Sequence, residues 1–236
     1  MELKKFNIEL NSNRLNYSSW VSEKYNYIYI ENPKVACTKI KSILQVSEGF
    51  ELPKNIMDIH YRKNGVFVKN LLDIWEKEKE NLDWKYFIFS FVRNPFSRIE
   101  SAFKDKVLNS LGRFWENYRQ EIKKFNNLSI NEGIEFIHFC RYIESIPDSK
   151  RDIHWRSQSK LLFFDQINYD FIGKFESFNL DMDYVVKKLC LSKDLFVINQ
   201  KINSSGNECL QTSETVEIIK HVYKNDFINF KYKQSI

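Results

Sequence analysis

Glycine and proline are scarce in this chain, six and four among 236 residues, so few stretches are suited to flexible linkers. With 43% hydrophobic and 16% aromatic side chains, the composition describes a packed globular protein and excludes wholesale disorder. A length of 236 residues suits one sizeable core, and a single domain over 1–236 is expected. Cysteine is sparse too. Cys37, Cys140, Cys190 and Cys209 are widely spaced and form no C-x-x-C pair, which argues against a zinc site and a disulfide framework. Free thiols in a reducing compartment are the simplest account, and the expected location is cytoplasmic.

Long apolar runs are missing: neither the start at Met1-Glu2-Leu3-Lys4-Lys5 nor any later window reaches signal or membrane-spanning character, so no transmembrane segment is expected. Charge of one sign is also missing in bulk. The 36 basic and 31 acidic side chains leave a net charge of +5, enough to favour anionic ligands without demanding nucleic acid. No run of five basic residues and no helix-turn-helix, zinc-finger or RNA-binding signature occurs, so a nucleic-acid partner is not expected. The Walker pattern G-x-x-x-x-G-K-[ST] is absent, as is any internal repeat of solenoid period.

What is present is one local grammar used twice: an apolar strand, a polar turn bearing a cation, then a helix. Tyr27-Ile28-Tyr29-Ile30 leads into Asn32-Pro33-Lys34-Val35-Ala36-Cys37-Thr38-Lys39, and Phe87-Ile88-Phe89-Ser90-Phe91-Val92 leads into Arg93-Asn94-Pro95-Phe96-Ser97-Arg98. Such a turn offers unpaired backbone N–H groups and the positive end of a helix dipole to a phosphate or sulfate. Two of them suggest a ligand with two separated anionic groups. In the first, the small Ala36 and Cys37 let backbone N–H groups approach an oxyanion, Thr38 adds a hydroxyl and Lys34 a mobile charge. On its own this segment reads equally well as an ordinary turn with a solvated lysine. In the second, Arg93 supplies a planar fork and Ser101, eight positions on, a hydroxyl; Arg98 reads as a surface or ion-pair residue.

The remaining pattern predicts helices from Thr38 to Val46, with Ile40, Ile43 and Leu44 inward, then over Val66–Glu80, Pro95–Leu108, Arg113–Phe125, Ile130–Ile143 and Glu214–Phe230. The Ile130 helix takes its start signal from Ser129 and Glu132 at capping-box spacing. Lys160–Phe164, Phe171–Phe175 and Leu195–Ile198 read as strands or strand-like core segments. Strand, helix, strand in that order predicts an α/β protein with a parallel sheet.

These segments resemble a known family. Asn32 to Thr38 looks like the 5′-phosphosulfate loop of carbohydrate sulfotransferases (sulfotransferase family 2), and Phe91 to Phe103 looks like their 3′-phosphate strand and helix. The similarity continues through Asp152-Ile153-His154-Trp155-Arg156-Ser157-Gln158 and Tyr169 to Glu176, then fades into Lys201-Ile202-Asn203-Ser204. Asn94 stands where the family usually has an acidic residue. The resemblance implies a P-loop NTPase-like three-layer fold, a central mostly parallel sheet flanked by helices. It implies transfer of a sulfuryl group from 3′-phosphoadenosine-5′-phosphosulfate to a saccharide hydroxyl by in-line displacement, with no metal. Lys34, Val35, Ala36, Cys37, Thr38 and Lys39 would hold the 5′ end of the donor, Arg93 and Ser101 its 3′-phosphate. Lys34 would also act in catalysis by stabilising charge on the leaving phosphate. The missing anchor points to a bacterial member.

An acceptor hydroxyl needs a base, and His60, between the donor motifs as in similar sulfotransferases, is the first choice. His154 is the competitor; His138 and His221 read as structural. Two rivals remain: a P-loop-like kinase, disfavoured by the missing Walker lysine, and a non-catalytic nucleotide- or polyanion-binding protein on the same fold.

Overall fold

A computed structural model describes residues 13–60, 71, 74, 77, 85–191 and 210–235. Contacts divide the chain into two compact units, one from Met1–Val92 and Leu162–Ile202, the other from Arg93–Leu161 and Asn203–Ile236.

The first unit is built on a four-stranded sheet in sequence order, β1 (Ser19–Ser22), β2 (Tyr27–Ile30), β3 (Phe87–Val92) and β4 (Phe171–Lys174). β1 pairs antiparallel to β2, whereas β2, β3 and β4 run parallel, with Tyr29 opposite Phe89 and Phe91 opposite Gly173. The sequence pattern assigns no strand to Ser19–Ser22, nor the short helix α1 (Asn13–Ser18) before it. β2 is buried at all four positions, as expected of a strand covered on both faces. Tyr27, Tyr29, Phe89 and Phe91 pack in one core with Ile40, Ile43 and Leu44 of α2 (Cys37–Ser47) and with Met182, Val185 and Val186 of the helix Phe178–Lys188. The apolar spacing of α2 thus faces the sheet as predicted. Gly173 is required where it stands: a Cβ there would collide with the Phe91 ring, so the aromatic of β3 occupies the space that a side chain on β4 would take.

Two side chains tie the strands laterally. Asn32 donates through Nδ2 to the Phe91 carbonyl at 3.0 Å, joining the carboxyl ends of β2 and β3. The Asp170 carboxylate accepts from the Ile88 N–H at 2.8 Å, just before β4.

The second unit is helical. It contains α3 (Pro95–Ala102), which runs on as a π-helical turn over Phe103–Asn109, then α4 (Arg113–Phe125), α5 (Phe136–Ser145) and the short α6 (Gln158–Leu161). The helix Ser213–Val222 and, after a break at Tyr223, Lys224–Asn229 complete it. Phe96, Ile99, Phe103, Phe136, Phe139, Trp155, Ile219 and Phe227 form its core.

Three expectations give way here. The helix expected from Ile130 starts at Phe136, capped reciprocally by Glu135 and His138, while Ser129 and Glu132 close a turn (Ser129 N–H to Glu132 Oε2, 2.5 Å) that no helix follows. Lys160–Phe164 is no strand; Lys160 and Leu161 end α6 and turns follow. The last helix is split in two. Of the expected helix Val66–Glu80, Leu71, Ile74 and Lys77 are helical, with Leu71 and Ile74 buried. Its other residues, and the strand expected at Leu195–Ile198, lie outside the described residues.

Candidate active site

In the first unit, β2 ends at Ile30 and the chain turns into α2 through Pro33 to Ala36. Lys34 and Ala36 both take left-handed backbone, φ 69° and 54°, a conformation costly for residues with a Cβ. Alternation of this kind turns successive backbone N–H groups toward one point, the geometry of an anion-binding nest. Ala36 is the N-cap of α2 and provides no side-chain cap to the first-turn N–H groups at the positive end of this 11-residue helix. A serine or aspartate in place of Ala36 would stabilise the helix.

Beneath the loop lies a polar cluster that sequence reasoning found only in part. Lys41 is 1% exposed, and its ammonium touches Glu31 Oε1 at 2.6 Å and His60 Nδ1 at 2.7 Å while sitting 4.6 Å above the Trp20 ring. Trp20 Nε1 donates to the other Glu31 oxygen at 3.2 Å. Burial alone would push the Glu31 carboxyl up, but Lys41 outweighs it, with His60 beside the pair, and holds the carboxyl at about 2. The carboxylate is ionised and forms an ion pair with Lys41.

That charge state fixes the tautomer of His60, which ends the 3₁₀ turn Ile56–His60. An ammonium only donates, so Nδ1 accepts from Lys41 and the imidazole N–H lies on Nε2, 3.1 Å from Thr38 Oγ1. The approach of His60 Nδ1 to Glu31 at 3.6 Å is too long for a hydrogen bond. In this arrangement His60 directs its Nε2 N–H to Thr38 Oγ1. Glu31 and Lys41 escaped notice because a charge at a strand end and another on a helix are ordinary features. The available signal was Lys41 itself, placed between the inward-facing Ile40 and Ile43.

Glu31, Cys37 and His60 bring one potential metal ligand each within 4.8 Å of one another. Their chemistry does not suit a metal. The Lys41 ammonium already holds the Glu31 oxygen and His60 Nδ1, and burial pushes the Cys37 thiol up, away from the thiolate a metal would need. Lys39 extends over the Phe178 ring at 4.9 Å.

In the second unit Arg93 is gripped on its backbone. The Gln158 side chain, fully buried, accepts from the Arg93 N–H at 2.9 Å and donates to its carbonyl at 2.8 Å. Gln158 is in turn set by Asp226, whose carboxylate accepts from the N–H groups of Gln158 and Ser159 at 2.8 Å each and from Ser159 Oγ at 2.7 Å. The guanidinium is aimed by Ser97, which accepts from Arg93 Nε at 3.0 Å. Asn94 caps α3 by accepting from the Phe96 N–H at 3.0 Å, work that an aspartate would also do. Ser101 stands in the last turn of α3.

The expectation of Arg98 as a surface residue is corrected. It is 1% exposed and donates to the carbonyls of Arg156 at 2.9 Å and Ile153 at 3.2 Å, pinning the loop that carries His154. In that loop Asp152 Oδ1 accepts from the His154 backbone N–H at 3.0 Å and lies 2.6 Å from its Nδ1. Burial by itself would push the Asp152 carboxyl up, but His154, with Lys106 nearby, holds it below its ordinary range. His138 serves as a helix cap and His221 is exposed. Lys34 to Lys39 and His60 thus belong to one unit, and Arg93, Ser101 and His154 to the other.

Among the described residues no helix is long and apolar enough to cross a membrane. Comparison with known proteins gives the site its context. The chain is 28% identical over 228 residues to human carbohydrate sulfotransferase 9, covering 88% of this chain and 48% of that protein. It is 32% identical over 187 residues to carbohydrate sulfotransferase 10 of Pongo abelii, covering 72% and 51% respectively. Rat carbohydrate sulfotransferase 11 is 29% identical over 240 residues, covering 90% and 66%. The chain spans about half the length of the first two. No solved structure matches. A model of the sulfotransferase family matches residues 17–233, a span that contains both strand–turn–helix segments and the Asp152–Gln158 loop, and the chain belongs to that family.

Proposed function

We propose that this chain transfers a sulfuryl group from 3′-phosphoadenosine-5′-phosphosulfate to a saccharide hydroxyl, as a single catalytic domain. The observation that carries this reading is the uncapped head of α2 behind the left-handed Lys34 and Ala36, in a chain of the sulfotransferase family. A dianionic group fits such donors, and the carboxylate of the polar cluster, Glu31, is already neutralised by Lys41. The similarity to proteins named carbohydrate sulfotransferases supports a saccharide acceptor. Free thiols at Cys37, Cys140 and Cys190 support a reducing, cytoplasmic setting.

In this reading Lys34 and the backbone N–H groups from Ala36 to Lys39 receive the 5′-phosphosulfate and neutralise the charge that grows on the bridging oxygen as the S–O bond breaks. Val35 and Cys37 contribute backbone, and Thr38 a hydroxyl oriented by the His60 N–H. Arg93, fixed by Gln158 and Ser97, binds the 3′-phosphate with Ser101, which aligns the donor for in-line attack.

The test is calorimetry with adenosine 3′,5′-bisphosphate and adenosine 5′-phosphate. Arg93→Ala should weaken binding of the bisphosphate by roughly 2–4 kcal/mol, the loss of a charge-assisted bidentate contact, and barely affect the monophosphate. Equal losses for the two nucleotides would make Arg93 structural and remove the 3′-phosphate site.

A further inference from the structure

We propose that Lys41 and His60 are positioning residues for the Thr38 hydroxyl: the chain of hydrogen bonds from Glu31 through Lys41 and His60 to Thr38 makes that hydroxyl a donor to the anionic 5′ end of the sulfuryl donor. This rests on the sulfotransferase reading above and gives His60 a role other than the base expected from sequence. All four residues belong to the first unit.

The polarity of the chain runs one way. The Glu31 carboxylate only accepts, and the Lys41 ammonium, which only donates, faces both Glu31 Oε1 at 2.6 Å and His60 Nδ1 at 2.7 Å. The ring proton is therefore on Nε2, 3.1 Å from Thr38 Oγ1, and the threonine oxygen is the acceptor in that bond. A hydroxyl that accepts from the ring has its own proton turned to another acceptor. Thr38 is the second residue of α2, at the positive end of the helix, where an anion is the favoured acceptor. Linked hydrogen bonds polarise one another, so the buried ammonium strengthens the hydroxyl as a donor without touching the ligand itself.

Stability alone does not account for the cluster. A buried ion pair gains little beyond its own desolvation cost, and apolar side chains of similar volume would hold the fold as well. Lys41 nevertheless stands between the inward-facing Ile40 and Ile43. Each member is also restrained. Trp20 Nε1 donates to the second Glu31 oxygen at 3.2 Å, and the Trp20 ring lies 4.6 Å from the Lys41 ammonium. The Ser42 hydroxyl donates to the Thr38 carbonyl at 2.9 Å, and a β-branched side chain on a helix has few rotamers to choose from. The Nε2 proton of His60 thus meets a hydroxyl that is held in place.

The test uses the full chain, labelled with ¹⁵N, and two probes: adenosine 3′,5′-bisphosphate, and adenosine 3′-phosphate, which lacks the 5′ group. Long-range ¹H–¹⁵N imidazole spectra, with His60 assigned from His60→Gln, should show Nε2–H for His60 in the unaltered protein and mixed tautomers in Lys41→Met. In calorimetry, Thr38→Val should weaken the bisphosphate about tenfold, the scale of one hydrogen bond to a charged group, and leave adenosine 3′-phosphate nearly unchanged. His60→Leu should behave alike. His60→Gln, whose amide can accept from Lys41 and donate to Thr38, should recover most of what His60→Leu loses. Lys41→Met should weaken the bisphosphate severalfold, yet by less than about twofold when Thr38 is already valine, because the two act through one hydrogen bond. Should Lys41→Met fail to fold, the unaltered tautomer and the two His60 variants decide. An Nδ1–H tautomer in the unaltered protein, equal losses in His60→Gln and His60→Leu, or equal losses for the two nucleotides would overturn the proposal. So would a fall of about two to four orders of magnitude in labelled-sulfate transfer by His60→Gln with bisphosphate affinity intact, which is what a base at His60 would give. Any of these with the bisphosphate still bound by the unaltered chain removes the positioning role alone, whereas failure of the unaltered chain to bind it would sink the sulfotransferase reading itself.

Discussion

Replacing Lys41 with methionine is expected to cost the fold about 3–5 kcal/mol, because it leaves the Glu31 carboxylate buried without its counter-charge. A methionine fills similar volume, so little of the loss would come from packing. The pH dependence should change as well. In the unaltered protein the Glu31 carboxyl is held at about 2, below its ordinary 4.5. A carboxyl depressed on folding contributes stability that is present above the unfolded value and lost as the pH falls toward the folded one. The unaltered chain should therefore lose this contribution between about pH 4.5 and 2. In Lys41→Met, burial acts unopposed and the carboxyl should rise above its ordinary value. Acidification toward pH 4 should then narrow the gap between the two proteins. Urea denaturation at pH 7 and pH 4 measures both effects. A loss below about 1 kcal/mol at pH 7, the scale of an exposed pair, would show that the cluster is solvated and that nothing locks the His60 tautomer.

Lys34→Ala should lower turnover by about 10²–10³-fold, the scale for removing one donor from a site where charge develops. Donor affinity should fall much less, because charge on the leaving phosphate is greatest while the S–O bond is breaking. The left-handed backbone at Lys34 makes alanine a fair probe: the strain at φ 69° remains and only the ammonium is removed. Steady-state kinetics together with donor titration separates the two effects. An unchanged kcat with a raised KM would mean that Lys34 binds the donor uniformly and does no work on the transition state.

What was legible in the sequence is what local chemistry decides. Alternating aromatic and β-branched residues placed β2 and β3, apolar spacing placed α2 and α4, and Pro95 marked the start of α3. The anion loop was legible because Lys34 and the small Ala36 and Cys37 fall together at a strand–helix junction, where backbone N–H groups can approach an oxyanion. What escaped depends on distant partners. Gln158 positions Arg93 across 65 residues, and Asp226 sets Gln158 across another 68. The same carboxylate at the N–H groups of Gln158 and Ser159 favours a helix at residues whose apolar run suggested a strand. Arg98 was misread because a guanidinium on a helix is usually solvated, and only the carbonyls of Ile153 and Arg156 reveal why this one is buried. Which partner each histidine Nδ1 faces, Lys41 at His60 and Asp152 at His154, is likewise something that spacing does not encode.

The most direct test of the central claim is transfer from 3′-phosphoadenosine-5′-[³⁵S]phosphosulfate to a saccharide mixture, with the nucleotide and saccharide fractions separated afterwards. Label appearing in the saccharide fraction in step with release of adenosine 3′,5′-bisphosphate, and lost with Lys34→Ala, is the predicted result. Donor that binds and is recovered intact, with no label in any saccharide, would contradict the claim and leave a nucleotide-binding protein on a sulfotransferase fold.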